Sequence, residues 1–401
     1  MPDRTVDYLL IGGGAASASC ARTLRREGEE ASILVVGREA LAPYERPPLS
    51  KGYLRAGSGM VEAELPGDVE LLRRTSVMKL DTAGRVATLS SKEEVGFGKA
   101  LFATGANVRR LQVEGSHLDG IHYLRTPQNA DAIRADAEAA ERVVLIGGSY
   151  IACEVAATLT ALGKRCTLVM LEATTLEAHL GKDVGRFVEL ALRERAVELA
   201  CLDELERFHG EDERVVGVVT KGGLELPADL VVIGAGVVPD TILARSAGLQ
   251  LGATGGIACS SRLETSVPGV YAAGDVAEYE SALHDGPARV EHHEVAIAHG
   301  RTAALNMLGR DVAHEEVPYF WSDLGDWATI EYVGIGGGDD VVRGSLEDGD
   351  FTVFYLDGDR LVSAATVGRP RDLAEARRMI AERATPPRDV LADPGADLAA
   401  L

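Results

Sequence analysis

The sequence predicts an α/β fold that contains two strand–helix–strand motifs of the same kind and ends in a small α+β domain. The first motif lies at Asp7–Glu39, where an apolar run stops at three consecutive glycines and a helical pattern follows. The second begins at Arg142 and repeats the same order with fewer glycines. Beyond about Glu315, alternating apolar residues predict several strands and a final helix, Asp372–Glu382.

The composition limits the classes of protein to which the chain can belong. Its 401 residues suffice for two or three domains, and 46% of them are hydrophobic. A formal net charge of −21 disfavours nucleic acid and anionic membranes as partners. No apolar run reaches the length of a spanning helix and no leader precedes the first strand, so we expect a cytoplasmic protein. The five scattered cysteines form no C-x-x-C pair, which favours a reducing compartment and argues against a tetrathiolate metal site.

The glycines of the first motif stand where a dinucleotide pyrophosphate needs them. Gly12 allows a tight turn after the strand, and Gly14 lets the backbone approach a phosphate with no side chain between. The third position of the pattern is Ser17, which is small enough for close packing. The helix from Ala15 to about Glu27 offers free N–H groups at its start. A plain tight turn is the alternative.

The second motif carries a reduced form of the same pattern. An apolar strand, Val143–Ile146, leads into Gly147-x-Ser149-x-x-Ala152 and a helix from Tyr150 to Leu162. Serine and alanine are the next smallest residues, so the turn remains compatible with a phosphate. A chain with two such motifs is expected to bind two dinucleotides. A repeat that has lost its ligand is the alternative.

A proline-rich loop follows the first motif. Pro43–Lys51 reads PYERPPLSK, and its two consecutive prolines preset the backbone ahead of Leu49. It is either a surface loop with scattered charges or a rigid loop that directs Arg46 and Lys51 at a ligand.

LIGGGAAS, PYERPPLSK and the later TSVPGVYAAGD resemble the flavoprotein family of bacterial ferredoxin reductases and apoptosis-inducing factor, from about residue 6 to nearly 395. The resemblance implies an FAD-dependent pyridine nucleotide oxidoreductase. It implies two Rossmann-like dinucleotide-binding domains, arranged as in glutathione reductase, and a small α+β C-terminal domain. The implied FAD-binding domain comprises residues 1–108 and 239–313, the NAD-binding domain residues 109–238, and the C-terminal domain residues 314–401.

The resemblance assigns Lys51 and Glu154 to catalysis. It implies that Lys51 lies near the flavin N5, where it stabilises negative charge on the reduced ring, and we predict that Glu154 pairs with it and helps to orient the nicotinamide. Tyr150 lies four residues before Glu154, on the same helix face, and matches the aromatic residue that covers the flavin. A solvated Glu154 and a core Tyr150 are the alternatives.

The cofactor-binding positions expected from the motifs and the resemblance extend along the whole chain. They are Gly12, Gly14, Ala15, Ser17, Arg38, Glu39, Arg46, Lys51, Val77, Ala103, Thr104, Gly105, Gly147, Ser149, Tyr150, Ile151, Glu154, Glu172, Gly234, Gly236, Gly274, Asp275, Glu291, His292, His293 and Trp321.

A particular expectation accompanies five of these residues. Asp275 is expected at the N-terminus of the next helix, where it accepts from a ribityl hydroxyl of FAD; a capping aspartate is the alternative. Glu39 is expected to bind the adenosine ribose of FAD, because Arg38 occupies the family's usual acidic position. Trp321 flanks the flavin or packs in an interface core. The adjacent histidines His292 and His293 point different ways on a helix, so no metal site is expected.

The choice between NADH and NADPH depends on the end of the second motif. Glu172 matches the position at which apoptosis-inducing factor carries its acid, whereas ferredoxin reductases usually carry theirs at Met170. An acid accepts from the ribose 2′-OH and repels a 2′-phosphate. No arginine or lysine occurs between Ala173 and Gly181, so NADH is favoured over NADPH.

The expected function is hydride transfer from NADH to FAD, followed by electron transfer to a ferredoxin-type iron–sulfur protein or a small acceptor such as oxygen or a quinone. No pair of cysteines is placed for a redox disulfide, so electrons must leave the flavin directly. The charge of −21 opposes an acidic ferredoxin. The alternative is a redox-sensing interaction protein with slow turnover, which the strings FWSDLG and RVEHH, typical of apoptosis-inducing factor, favour. A homodimer is left open.

Overall fold

A computed structural model describes residues 1–401, which divide into two compact units. The first unit comprises Met1–Glu45, Val61–Asn107 and Val238–Tyr319, and the second comprises Arg46–Met60, Val108–Val237 and Phe320–Leu401. Residues 46–60, expected in the FAD-binding part, thus belong to the second unit, as does nearly all of the expected C-terminal domain. The domain boundaries given above stay predictions.

The strands are numbered in chain order. They are β1 Arg4–Ile11, β2 Ile33–Val36, β3 Glu70–Leu72, β4 Val77–Asp81, β5 Val86–Leu89, β6 Glu94–Phe102, β7 Ala106–Val108, β8 Ile121–Tyr123, β9 Arg142–Ile146, β10 Arg165–Val169, β11 Glu198–Ala200, β12 Leu205–Glu211, β13 Arg214–Thr220, β14 Glu225–Pro227, β15 Leu230–Ile233, β16 Val237–Pro239, β17 Ile257–Cys259, β18 Val270–Ala272, β19 Ala277–Ser281, β20 Gly286–Ala288, β21 Tyr319–Leu324, β22 Ala328–Gly334, β23 Asp339–Ser345, β24 Asp350–Asp357 and β25 Arg360–Val367.

The helices are numbered in the same way. They are α1 Ala15–Arg26, α2 Gly52–Ala56, α3 Pro127–Ala139, α4 Tyr150–Ala161, α5 Glu177–Arg193, α6 Ile242–Ser246, α7 His293–Met307, α8 Pro370–Ala381 and α9 Arg388–Ala392, with short 3-10 turns at Pro47–Ser50, Gly274–Val276 and Leu398–Ala400.

A mostly parallel sheet forms the centre of the first unit. Strands β3, β2, β1 and β6 lie side by side in parallel, β18 pairs with the second half of β6, and antiparallel β5 and β4 continue from its first half. The central strands are apolar because both faces of the sheet are covered. Since β1, β6 and β18 are parallel, the residues after their carboxyl ends, Gly12, Ala103 and Ala273, meet at one edge of this sheet.

Helices α1 and α7 cross within the first unit with almost no space between them. A Cβ built on Gly300 of α7 would lie 2.2 Å from the carbonyl oxygen of Ala16 of α1. Only glycine fits there, so the helix that follows the first glycine turn is fixed against the helix that follows RVEHH.

The second unit has its own parallel sheet, in the order β11-β10-β9-β15-β8. Buried side chains of this sheet, among them Val144, Val231 and Ile233, pack with Phe208 and Val215 of the antiparallel sheet β12-β13-β14. Each unit therefore contains one predicted strand–helix–strand motif, and the predicted α/β class is confirmed.

The C-terminal part of the second unit is a five-stranded sheet in the order β21-β22-β25-β24-β23, with α8 packed on it. Beneath the surface Arg343 pairs with Asp372 at 3.0 Å. Its guanidinium also donates to backbone carbonyls of the last residues, including that of Ala396 at 2.7 Å. These contacts hold the chain end against the sheet and complete the predicted α+β domain.

One local prediction is wrong. Asp275 does not begin a helix: it lies in the 3-10 turn Gly274–Val276, and the chain continues into β19. Strand β19 is fixed by pairing with β17 and β20. The next helix, α7, begins only at His293.

Candidate functional site

The glycine turn of the first unit has the geometry of a phosphate cradle. Gly12 has φ 121°, and a Cβ on it would lie 2.1 Å from the carbonyl oxygen of Ala103, so glycine is obligatory. Gly14 precedes α1 as its N-cap residue with no capping side chain, and the space where its Cβ would lie is open. The positive end of α1 is thus left accessible to an anion.

The first turn of α1 also contains a buried polar group that needs a partner. The hydroxyl of Ser17 is buried and has no hydrogen-bond partner in the protein. Buried hydroxyls are normally satisfied. Together with the uncapped N–H groups and the open space at Gly14, this hydroxyl fits the pyrophosphate of a dinucleotide, and Ala15 lies between the two.

The residues expected at the FAD ribose have partners in the first unit. Arg38, whose side chain is 54% exposed, donates to Asp240 Oδ2 at 2.7 Å and to Asn107 Oδ1 at 2.7 Å. Glu39 accepts from the Tyr44 hydroxyl at 2.6 Å. These contacts hold both side chains at the end of β2, and their role toward a ribose stays a prediction.

The segment after β6 lies directly against the first glycine turn. Ala103 donates its N–H to Ile11 at 2.8 Å, Thr104 Oγ1 donates to the Asp240 carbonyl at 2.7 Å, and Gly105 has φ 68°. Val77, at the start of β4, is buried, and the backbone contact to the adenine that the resemblance implies at this position stays a prediction. These positions are compatible with packing against a cofactor held by Gly12 and Gly14.

The start of α7 brings three of the expected residues together. His292 is the N-cap residue and His293 the first helical residue. Glu291 accepts from Arg289 at 2.5 Å. No group of three or more histidine, cysteine, aspartate or glutamate side chains in the protein is arranged to hold a metal ion.

The glycine turn of the second unit uses serine where the first uses glycine. Gly147 has φ 112°, and a Cβ on it would lie 2.5 Å from the Gly234 carbonyl oxygen. Ser149 caps α4 by accepting from Ala152 N–H at 3.4 Å, and its hydroxyl donates to the same Gly234 carbonyl at 2.7 Å. The serine thus ties the helix start to the end of β15 instead of weakening the turn.

The acidic residue expected at the second ribose lies beside this turn. A Cβ on Gly148 would approach Glu172 Oε2 to 3.3 Å, so the carboxylate lies at the glycines. Met170, at the alternative position, is 1% exposed and fills the core. Of these two residues, only Glu172 presents its side chain to the turn, and its role toward a ribose stays a prediction.

The predicted ion pair between Lys51 and Glu154 is present. Lys51 Nζ lies 2.8 Å from Glu154 Oε2, and the two side chains are 18% and 5% exposed. The loop that carries Lys51 is a 3-10 turn opened by two prolines, and Thr158 of α4 donates to the Ser50 carbonyl at 2.7 Å. The loop is thus held against α4 by a hydrogen bond to its backbone as well as by the ion pair. The catalytic role of Lys51 stays a proposal.

Two hydroxyl groups that the sequence did not identify complete this cluster. Ser50 Oγ donates to Glu154 Oε2, and Ser322 Oγ donates to Oε1 at 2.7 Å. Both serines are almost fully buried. Each carboxylate oxygen of Glu154 therefore has a donor other than water.

Tyr150 is enclosed by aromatic rings. His179 stacks on it at 5.3 Å between centroids, and Phe320 meets it edge-on at 4.7 Å. Burial raises the pKa of its phenol, so the ring stays neutral. Phe320 and Ser322 are two apart on β21 and share a face, which matches the four-residue spacing of Tyr150 and Glu154 on α4.

The remaining expected residues belong to the second unit. Arg46 Nη1 donates to the Arg125 carbonyl at 2.6 Å, and Gly236 has φ 86° while its carbonyl accepts from Arg109 N–H at 2.9 Å. Ile151 is 37% exposed on α4. Trp321 is half-buried and, as the neighbour of Ser322 on a strand, points to the other face of β21.

All five cysteines are free. Burial raises the pKa of the Cys20, Cys153 and Cys259 thiols, and that of Cys166 to about 11. These thiols remain protonated at neutral pH and act as packing groups. Two glycine turns, each between a parallel strand and a helix, are typical of a class of protein, the FAD-dependent pyridine nucleotide oxidoreductases.

Comparison with known proteins identifies the family within this class. The pyridine nucleotide-disulphide oxidoreductase model matches residues 6–300, and the reductase C-terminal model matches residues 319–401. The chain belongs to this family, as its motifs predicted, and is an NAD(P)H-dependent flavoprotein oxidoreductase that uses FAD.

Three relatives describe the branch of the family. Putidaredoxin reductase of Pseudomonas putida is 34% identical over 402 residues, covering 96% of this chain and 94% of that protein. Apoptosis-inducing factor 3 of Homo sapiens is 30% identical over 370 residues, covering 90% of this chain and 61% of that protein. The crystal structure of a ferredoxin reductase from Rhodopseudomonas palustris superposes with a TM-score of 0.94 at 30% identity, covering 99% of both chains.

None of the helices in this chain combines the length and the apolar character needed to cross a bilayer.

Proposed function

We propose that the protein takes a hydride from NADH and passes electrons one at a time to a ferredoxin-type iron–sulfur protein. The observation that carries this proposal is the buried Lys51–Glu154 pair, held by two serine hydroxyls. Burying an ion pair costs desolvation free energy that packing alone would not require. Such a pair on a proline-braced loop is therefore best explained by chemistry that needs a fixed positive charge.

The residues of the Lys51–Glu154 cluster would each have a distinct role in the reaction. FAD, when bound, accepts two electrons as a hydride and releases them singly. Lys51 supplies a fixed ammonium that favours developing negative charge, and Glu154 holds that ammonium in place. Ser50 and Ser322 fix the carboxylate, so the charge needs no reorientation during the reaction. Tyr150 is a neutral ring on the same helix face that has to yield to the nicotinamide.

NADH is the proposed electron donor. Glu172 lies beside the second glycine turn, where its carboxylate can accept from a ribose 2′-OH and repel a 2′-phosphate. The segment from Ala173 to Gly181 contains no lysine or arginine that could bind a 2′-phosphate. Both features favour NADH over NADPH.

A ferredoxin-type acceptor is proposed from the likeness to ferredoxin reductases. The net charge of −21 opposes the approach of an acidic protein. Salt screens this repulsion over a Debye length of about 8 Å at physiological ionic strength. We therefore expect the turnover with an acidic ferredoxin to rise, not fall, when moderate salt is added.

The second candidate is a redox-sensing interaction protein that reduces slowly and acts by redox-dependent binding, with self-association as one form. It is favoured by the strings FWSDLG and RVEHH and by the likeness to apoptosis-inducing factor 3. Steady-state reduction of cytochrome c by NADH, with and without added ferredoxin, separates the two. The reductase proposal predicts turnover that depends on ferredoxin and is greater with NADH than with NADPH. Turnover that stays slow with every ferredoxin tested supports the sensor instead.

A further inference from the structure

The turn Gly274–Val276 begins with a glycine in the left-handed region and is packed from one side. Gly274 has φ 75°, and a Cβ on it would touch Ala296 and Ala16 at 3.4 and 3.6 Å. The side chain of Asp275, the expected ribityl ligand, extends from this turn. Its direction therefore depends on how the Ala273–Gly274 and Asp275–Val276 peptide groups are held.

A buried histidine holds the first of these peptide groups. His299 of α7 is fully buried, and its Nδ1 accepts from the Gly274 N–H at 3.2 Å. An imidazole nitrogen can accept only when it carries no proton. Burial and the neighbouring His314 lower the pKa of His299 well below 6.5, which keeps the ring in the accepting form at neutral pH.

An arginine holds the second peptide group. Arg289 Nη1 donates to the Asp275 carbonyl at 3.2 Å and to Glu291 at 2.5 Å, and its Nε donates to Thr254 Oγ1 at 3.1 Å. Thr254 in turn donates to the buried carboxylate of Glu278 at 2.5 Å. The guanidinium is thus anchored at both ends and cannot swing away from the turn without breaking several hydrogen bonds.

We propose that His299 and Arg289 are positioning residues that aim Asp275 at the ribityl chain of FAD, one by accepting from the Gly274 N–H and the other by donating to the Asp275 carbonyl. This inference rests on the proposed role of Asp275. Neither residue needs to touch the cofactor. Loss of either hydrogen bond leaves one peptide group of the turn free to rotate, and the Asp275 carboxylate then points away from the ribityl chain. We therefore expect FAD affinity to fall while the fold of the unit persists.

Protonation of His299 at Nδ1 would remove its hydrogen bond with the Gly274 N–H. The rings that face it are Tyr279 of β19, at 4.8 Å, and His314, at 4.5 Å, with Glu316 and Arg301 acting in turn on His314. The pKa of His314 is lowered to about 4, chiefly by burial. Neither neighbour offers a negative charge to a protonated His299. FAD affinity should therefore weaken only in acid, well below pH 6.5.

The test is a fluorescence titration of full-length apoprotein with FAD. His299→Leu leaves the Gly274 N–H without an acceptor, and an unsatisfied buried donor predicts a rise in the FAD Kd of about tenfold or more. His299→Gln retains an acceptor and should stay close to wild type at neutral pH. It should also lose the acid-induced weakening, because glutamine does not titrate. Arg289→Met should weaken binding and Arg289→Lys should restore part of it.

His314→Leu is the matched control, because His314 is equally buried but bonds to Thr302 Oγ1, at 3.3 Å, and not to the turn. If His314→Leu raises the FAD Kd as much as His299→Leu does, the effect is general core damage and the inference is overturned. The inference is also overturned if FAD binding by His299→Gln still weakens in acid. This comparison can be made even if His299→Leu does not fold. Failure of the proposed function looks different, because ferredoxin-dependent turnover would then be missing while the wild-type protein still binds FAD.

Discussion

Replacing Ser322 with alanine removes one of the two hydroxyl donors of Glu154 and nothing else. Ser322 is 1% exposed, and its Oγ lies 2.7 Å from Glu154 Oε1. A hydrogen bond to a charged group contributes about 1.5–3 kcal/mol. We therefore expect Ser322→Ala to lower the free energy of unfolding by about 2 kcal/mol. It should also slow flavin reduction by NADH about tenfold, because Glu154 and Lys51 lose a fixed orientation.

Two measurements check this expectation. Both tryptophans, Trp321 and Trp327, lie in the C-terminal part of the chain, so tryptophan fluorescence in urea follows the unfolding of that part. Anaerobic stopped-flow mixing with NADH follows the reduction rate.

Ser363→Ala is the matched control for Ser322→Ala. Ser363 is as buried as Ser322 but donates to the neutral Gly336 carbonyl at 2.7 Å. We expect Ser363→Ala to lower the free energy of unfolding by about 1 kcal/mol and to leave the rate of flavin reduction by NADH unchanged. The reasoning about Glu154 fails if both variants reduce at the wild-type rate.

Three other predictions concern the two cradles and the pH dependence. Glu172→Ala should raise the KM for NADH about tenfold and narrow the preference over NADPH, because the ribose loses an acceptor worth about 1.4 kcal/mol; steady-state kinetics with both nucleotides checks this, and an unchanged preference would contradict it. Gly12→Ala should yield protein without visible flavin absorbance, because the new Cβ would lie 2.1 Å from the Ala103 carbonyl oxygen; a yellow protein would disprove the cradle. Arg142 lowers the pKa of Asp229 from 3.8 to about 2. The folded protein therefore binds fewer protons there than the unfolded chain, and its stability should fall as pH drops from 3.8 to 2. Acid unfolding of Asp229→Asn should lack this contribution, and a curve identical to that of wild type would refute it.

The sequence predicted the strand–helix–strand motifs well because their signals are local. Strand β9, Arg142–Ile146, differs by one residue from the predicted Val143–Ile146, since its apolar run ends at Gly147. The start of α4 at Tyr150 followed from the serine before it, which is a favoured cap. Asp275 was misplaced because Gly-Asp after a strand begins a helix as readily as a short turn. The pairing of β19 with β17 and β20, which decides between them, is tertiary.

Residues that hold other site residues in place, such as Ser322 and His299, could not be predicted from local sequence signals. Ser322 and Glu154 are separated by 168 positions, and His299 and Gly274 by 25. No local pattern links such partners. The one available signal was the alternation on β21, in which Phe320 and Ser322 share a face with the spacing needed to meet Tyr150 and Glu154. Lys51 and Glu154 were paired in advance only because the loop and helix motifs resembled a known family.

We propose that electrons enter from NADH and leave singly to an iron–sulfur protein. A double-mixing stopped-flow experiment tests it most directly: the protein is reduced anaerobically with one equivalent of NADH and then mixed with oxidised ferredoxin. We expect rapid loss of the flavin absorbance with NADH, slower loss with NADPH, and recovery on mixing with ferredoxin as fast as steady-state turnover. Flavin that stays reduced for minutes beside oxidised ferredoxin would contradict it.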